Sequence, residues 1–271
     1  MSNAIRRARD RRKSNNNRAG YLVIAIASIV ITLFAFTYYR VSSNQVVLMD
    51  NLCREDGIVP RETVLLVDAT DSYSESQRDQ VLLKINEYID ESLEHERLTL
   101  YALNEDPDTF LPTFSICNPG DGEDASEWTE NKRQLAKTWE NRFKKELTDA
   151  VNPLVGQNSA ENSPIIEMLK FVGIRTFLES KSSERRIILV SDMMEHTEGY
   201  SHYDDPINFK QIENTPFEIS LRPKLSNVDV DVLYLYRPEL AGYQNLGHIE
   251  EFWSPLISVA GGELTSASRI N

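Results

Sequence analysis

Residues Tyr21 to Tyr39 read YLVIAIASIVITLFAFTYY, 19 consecutive positions without a charge. As a helix at about 1.5 Å per residue they span roughly 28 Å, close to a hydrocarbon core of about 30 Å. Tyr21, Tyr38 and Tyr39 stand at the two ends, where amphipathic rings favour the membrane interface. A helix apolar all round is either a deeply buried core helix or a membrane span, and the charges beside this one point to the span. A cleaved secretory signal has a shorter apolar region ending in small residues. This run ends in Phe36-Thr-Tyr-Tyr-Arg40, which predicts an uncleaved anchor.

Charge sets the orientation. Residues 1–20 hold seven bases (Arg6, Arg7, Arg9, Arg11, Arg12, Lys13 and Arg18) against Asp10 alone. By the positive-inside rule they form a cytoplasmic tail. The whole chain nonetheless carries a net charge of -13, so the part beyond Arg40 is strongly acidic. Such a body repels phosphate backbones, and no nucleic-acid partner is expected. It lies on the far side of the membrane, the periplasm if the source is a bacterium. Both cysteines, Cys53 and Cys117, fall in that exported part, where an oxidising compartment permits a bridge between them. Spacing alone leaves bridged and free thiols both open.

Residues 40–62 read as a linker and lead-in, and 63–271 as a single folded body. Thr63-Val-Leu-Leu-Val-Asp68 is an apolar run ending in an acid, as in a parallel strand covered on both faces. Ser74-Glu-Ser-Gln77 has the spacing of a capping box, opening a helix whose stripe is Leu82, Ile85, Ile89 and Leu93. Arg97–Leu103 and Phe110–Ile116 read as strands, the latter at an edge because of Pro112. A helical insertion at about 124–151 packs Leu135, Trp139, Phe143, Leu147 and Val151 along one face. Ser163-Pro164 opens a further helix with Ile165, Ile166, Leu169, Val172 and Phe177 inward. Arg186-Ile-Ile-Leu-Val-Ser-Asp192 is a second buried strand. Met193–Pro223 reads as a long polar loop, in which His196, His202, Asp204 and Asp205 lie close enough in sequence to offer a metal-binding group, although a solvated loop is the better reading. Val228–Tyr236 is a strand, Leu246–Val259 a helix closed by Gly261-Gly262, and Glu263–Ala267 a last strand. The order β-α-β-β-α-α-β-β-α-β predicts an α/β layer fold with a mostly parallel sheet.

Ligands of such sheets sit outside the carboxyl ends of the strands. Three segments converge there: Asp68-Ala-Thr70-Asp-Ser72, Ser163 and Asp192. Carboxylates and hydroxyls make a hard oxygen set, suited to Mg²⁺, Mn²⁺ or Ca²⁺ rather than Zn²⁺. In this order the segments resemble the von Willebrand factor A (vWA) family, whose metal-ion-dependent adhesion site reads D-x-S-x-S, then Thr or Ser opening a later helix, then Asp after a central strand. Asp68, Thr70 and Ser72 match the first group, with Thr for the first Ser. Ser163 takes the second position and Asp192 the third. The resemblance covers roughly residues 63 to 266 and implies a Rossmann-like, three-layer fold. Its departures are Thr70, Met193 where a Gly is usual, and the enlarged segment before Ser163; Met193 implies a loop that turns differently. The chain is similar to a divergent, membrane-anchored bacterial member.

The resemblance implies a non-enzymatic module that binds a protein partner outside the cytoplasm, with a divalent cation held by Asp68, Thr70, Ser72, Ser163 and Asp192. Two other readings stay open. One is a metal-free scaffold of an envelope complex. The other is a phosphatase or hydrolase using Asp68, although the second acid is one residue late for a D-x-D nucleophile and no G-x-S-x-G elbow surrounds Ser72. His95 and His248 stand alone in the sequence, and no phosphate-binding or dinucleotide fingerprint is present.

Overall fold

A computed structural model describes residues 2–43, 46–104, 110–123, 131–156, 160–178, 180–205, 207–245 and 247–271, with only the helical backbone given for 2–19 and 41–43. The chain divides into two units, Met1–Val46 and Val47–Asn271. The first is one helix, α1 (Ser2–Ser43). Its Gly20–Arg40 stretch has a mean hydropathy of 2.3, is long enough to cross a membrane, and is not buried against protein. Thr32 and Thr37 bond back to the carbonyls of Ser28 and Leu33, so their hydroxyls need no water in an apolar surrounding. The side chains of the basic tail lie outside the described residues.

The second unit is a six-stranded sheet in the order β3-β2-β1-β4-β5-β6. The strands are β1 (Arg61–Asp68), β2 (Arg97–Leu103), β3 (Phe114–Cys117), β4 (Glu184–Ser191), β5 (Asp229–Leu235) and β6 (Glu263–Ile270). All neighbours are parallel except β2 and β3. The two central strands show why their sequences carry unbroken apolar runs. In β1, Val64 and Leu66 join one core while Leu65 and Val67 join the other; in β4, Ile187 and Leu189 oppose Ile188 and Val190. Successive side chains leave a strand on opposite faces, so burial of both faces removes any polar alternation.

One face is covered by α2 (Glu75–Asp90) and by helical segments that run on from α3 (Lys132–Thr138) through a π turn at Trp139–Lys144 into α4 (Lys145–Val151). The Ser74 capping box forms in full. The buried stripe of α2 is Gln77, Val81, Ile85 and Ile89, while Leu93 lies past its end and is exposed. Trp139 is only partly buried; Phe143, Leu147 and Val151 carry the packing of the insertion, whose expected first part, 124–130, lies outside the described residues. The other face holds α5 (Ile165–Val172), a π turn at Gly173–Phe177, a second at His248–Trp253, and α8 (Ser254–Val259).

Four readings of the sequence need correction. The third strand is four residues long and starts beyond Pro112, because Phe110 turns into the core instead of extending the edge. The lead-in is no free linker from Val47 onward: Leu52 and Cys53 are buried, and Cys53 is bridged to Cys117 at the end of β3. The segment after β4 is not a solvated loop. Met193, Met194, Glu195, Tyr200 and His202 are buried, and two short helices follow, α6 (Phe209–Ile212) and α7 (Pro216–Leu221). Helices of four and six residues are too short to show a period. Finally, His248 is not isolated, since its Nε2 lies 3.2 Å from Nδ1 of His202.

Candidate functional site at the strand ends

Asp68 ends β1, and Asp192 directly follows Ser191, the last residue of β4. The parallel register pairs Val67 with Val190, so Asp68 stands beside Ser191 and Asp192 lies one residue further along the chain. Both are 1% exposed. After Asp68 the chain turns back: Thr70 donates through its backbone N (3.0 Å) and its Oγ1 (2.5 Å) to Asp68 Oδ1. Ser191 Oγ donates to Asp68 Oδ2 at 2.7 Å and accepts from Met193 N at 2.8 Å. Tyr73 Oη closes the turn by donating to the Asp68 carbonyl.

Ser163 arrives from another direction. Its backbone pairs with His196 in both senses, N to O at 2.8 Å and O from N at 3.1 Å. That bridge ties the start of α5 to the segment after β4 and brings Ser163 Oγ within 3.2 Å of Thr70 Oγ1. The helix begins at Ile165, one residue later than the Pro164 start read from the sequence. Its N-terminus is served by Glu195, whose Oε2 accepts from Ile166 N at 2.9 Å. A carboxyl at that end supplies an acceptor for one of the N–H groups that a helix start leaves without an intrahelical partner. Sequence reading passed over Glu195 because it sits between Met194 and His196 in what reads as a loop.

The second half of the site hangs on a residue the motif does not contain. Arg237 follows β5, and its Nε donates to Asp192 Oδ2 at 2.7 Å. Its Nη1 donates to the Ser72 carbonyl at 2.9 Å, and Nη2 stands 3.6 Å from Asp71 Oδ2. Asp192 Oδ1 accepts from Met194 N at 2.9 Å. Gln244 fixes the arginine's backbone: its Oε1 accepts from Arg237 N, and its Nε2 donates to the carbonyls of Asp192 and Leu235. Asp68, Thr70 and Ser163 therefore form one hydrogen-bonded group, linked through Ser191 to Asp192, and Ser72 joins by its carbonyl. The Ser72 side chain lies on the exposed rim. The available signal for Arg237 was a base directly after an apolar strand beside β4.

Met193 carries the turn after Asp192 at φ 63°, the left-handed region that glycine favours. Met193 is fully buried and its carbonyl accepts from Trp253 Nε1 at 3.0 Å, so packing offsets the strain.

Burial holds Asp68 above the usual carboxylate range, against the hydrogen bonds from Thr70 and Ser191. Burial first, then Asp68 and Asp71, push Asp192 up to about 7, and Arg237 keeps it from going higher. Burial also works against the Arg237 charge, but Asp192 and Asp71 outweigh it, so the guanidinium is held more firmly protonated than usual.

The oxygens at the strand ends have the chemistry of a hard-cation site, but their arrangement does not fit one. Each of the four carboxylate oxygens of Asp68 and Asp192 already accepts a hydrogen bond. A permanently charged guanidinium touches Asp192, and a divalent ion there would face it directly.

No protein-family model and no curated protein matches the chain. Similar solved structures include proximal thread matrix protein 1 from the mussel byssus, at 12% identity over 66% of this chain and 38% of that one, with a TM-score of 0.40. This chain thus spans well under half of the mussel protein. A conserved hypothetical protein, BatB from Bacteroides thetaiotaomicron, is 14% identical over 78% of this chain and 90% of that one, with a TM-score of 0.41. The SpRpn10 VWA domain is 11% identical over 79% and 90%, with a TM-score of 0.39. The body's own features are a mostly parallel sheet between two helical layers, with Asp68, Ser163 and Asp192 placed around its strand ends.

Proposed function

We propose that this chain is a single-pass, membrane-tethered vWA-like module that binds a protein partner with the carboxyl-end face of its sheet, outside the cytoplasm, without catalysis. The observation that carries the reading is the convergence of three separate segments, at Asp68–Ser72, Ser163 and Asp192, on one hydrogen-bonded cluster beneath the exposed rim at Ser72. Buried polar groups are costly unless paired, so a densely hydrogen-bonded cluster at a strand end is a rigid platform for the loops above it. Asp68 is 1% exposed with both oxygens engaged, a poor placement for a nucleophile that must reach substrate. Ser163 Oγ bonds to Thr70 rather than to a base. Both observations favour binding over hydrolysis.

The test is site-specific photocrosslinking of the full chain in its native membranes. A crosslinker replacing Ser72 is expected to give a discrete protein adduct. One replacing Ser183, exposed beside the start of β4 at the opposite end of the sheet, is expected to give none. Equal adducts from both positions, or none from Ser72, would refute the assigned face.

A further inference from the structure

We infer that Arg237 is a built-in cation that does the structural work of a divalent ion at the strand ends and thereby keeps that site free of metal. The same two loops that an ion would join, the one after β1 and the one after β4, are joined by the guanidinium: Nε to Asp192 Oδ2 at 2.7 Å, and Nη1 to the Ser72 carbonyl at 2.9 Å, with Nη2 3.6 Å from Asp71. A planar fork of donors suits this bridging, because one group reaches a carboxylate and a carbonyl at once.

The arginine is not a mobile surface side chain that has folded over an open site. Its backbone N is held by Gln244 at 2.7 Å, and the same amide ties down the carbonyls of Asp192 and Leu235. Its side chain is 14% exposed and that of Asp192 1%. Acid, base and tether thus form one unit across the ends of β4 and β5. A metal must therefore displace a held guanidinium from Asp192, or bind beside it against like charge at short range. Unlike a bound ion, this cation cannot be removed by a chelator and is not lost at any ordinary pH.

The assignment concerns the same strand-end face as the proposed partner binding, but it is read with metal alone, so either can fail without the other. The experiment titrates Mn²⁺ into the full chain in detergent, followed by calorimetry and by the melting temperature. Wild type is expected to show neither binding heat nor a melting shift at millimolar Mn²⁺. Arg237→Gln is expected to melt lower in chelator and to bind Mn²⁺ at least about tenfold more tightly than wild type, with its melting temperature raised by the ion. Adding Asp192→Asn to Arg237→Gln should abolish that gain. Mn²⁺ binding by wild type that is lost in Asp192→Asn would overturn the inference. So would an Arg237→Gln protein that folds yet gains no affinity. Should Arg237→Gln not fold, Arg237→Met serves in its place, since it removes the charge and keeps an unbranched side chain of similar length. It is then expected to bind Mn²⁺ more tightly than wild type, and equal affinity counts against the inference.

Discussion

Glu195 shows how one side chain can couple folding to pH here. It is fully buried, caps α5 through Ile166 N, and burial pushes it up to about 8. In the unfolded chain it ionises near the ordinary carboxylate value. Between those two values the folded state holds a proton that the unfolded state has lost, so stability falls as pH rises. Across pH 5 to 8 this group alone removes on the order of 4 kcal/mol. The buried histidines act in the opposite sense. Burial lowers His202 to about 3 and His248 to about 4, so unfolding takes up protons below the ordinary histidine value, and their stabilisation is lost as pH falls from about 6.5 towards 4. Glu195→Gln keeps an acceptor for Ile166 and removes the acid. Urea unfolding at pH 5, 6, 7 and 8 is expected to show stability that declines more steeply above pH 6.5 for wild type than for the variant, in which the raised Asp68 and Asp192 still act. Parallel curves for the two proteins would rule out this assignment.

Among the elements, the short edge strand β3 depends most on a covalent tie. It has four residues, pairs only with β2, and ends at Cys117, which is joined to Cys53 across 64 positions. Cys117 N also donates to the Asn51 carbonyl, so the lead-in packs at the same end. Closing a loop of that length stabilises by nominally about 4 kcal/mol, an upper figure in practice. The double substitution Cys53→Ser and Cys117→Ser is expected to cost roughly 2–4 kcal/mol in denaturant unfolding and to expose the amides of β3 to hydrogen exchange, while β1 and β4 stay protected. Unchanged exchange at β3 would show that pairing to β2 suffices without the bridge. The spread of helix lengths follows the same logic of local against distant support. α2 announces itself through its capping box and stripe, whereas α6 and α7 are single turns held by what they touch, such as Phe209 in the core.

For the whole molecule, the decisive asymmetry is between a basic tail, an uncharged span and an acidic body. Positive residues resist transfer across a membrane, so the tail is expected inside and the body outside. A pair of fusions after Asn271 measures this in a bacterial host. Alkaline phosphatase, which needs oxidised cysteines, is expected to be active, and a cytoplasmic-only fluorescent reporter dark. Fluorescence with inactive phosphatase would reverse the orientation. The same sidedness agrees with the Cys53–Cys117 bridge, since such bonds persist outside the reducing cytoplasm.

The long apolar helix, the two central strands and the capping of α2 were legible from sequence, because each is set by neighbours within a few residues: an uncharged run, unbroken apolar tetrads, a Ser and a Gln three apart. Asp68, Thr70 and Ser163 were legible as a set, since their order along strand ends limits where they can go. What only the tertiary structure decided is which distant groups meet. Arg237 reaches Asp192 across 45 positions, His248 reaches His202 across 46, and Cys53 reaches Cys117 across 64. No periodicity records such pairs. The first two follow from the register of β4 against β5 and the loops that leave those strands, and the third from the packing of the lead-in against the end of β3. A buried charge must find its partner. Arg237 met that rule for Asp192, and so the strand-end oxygens that read as a metal site hold a guanidinium.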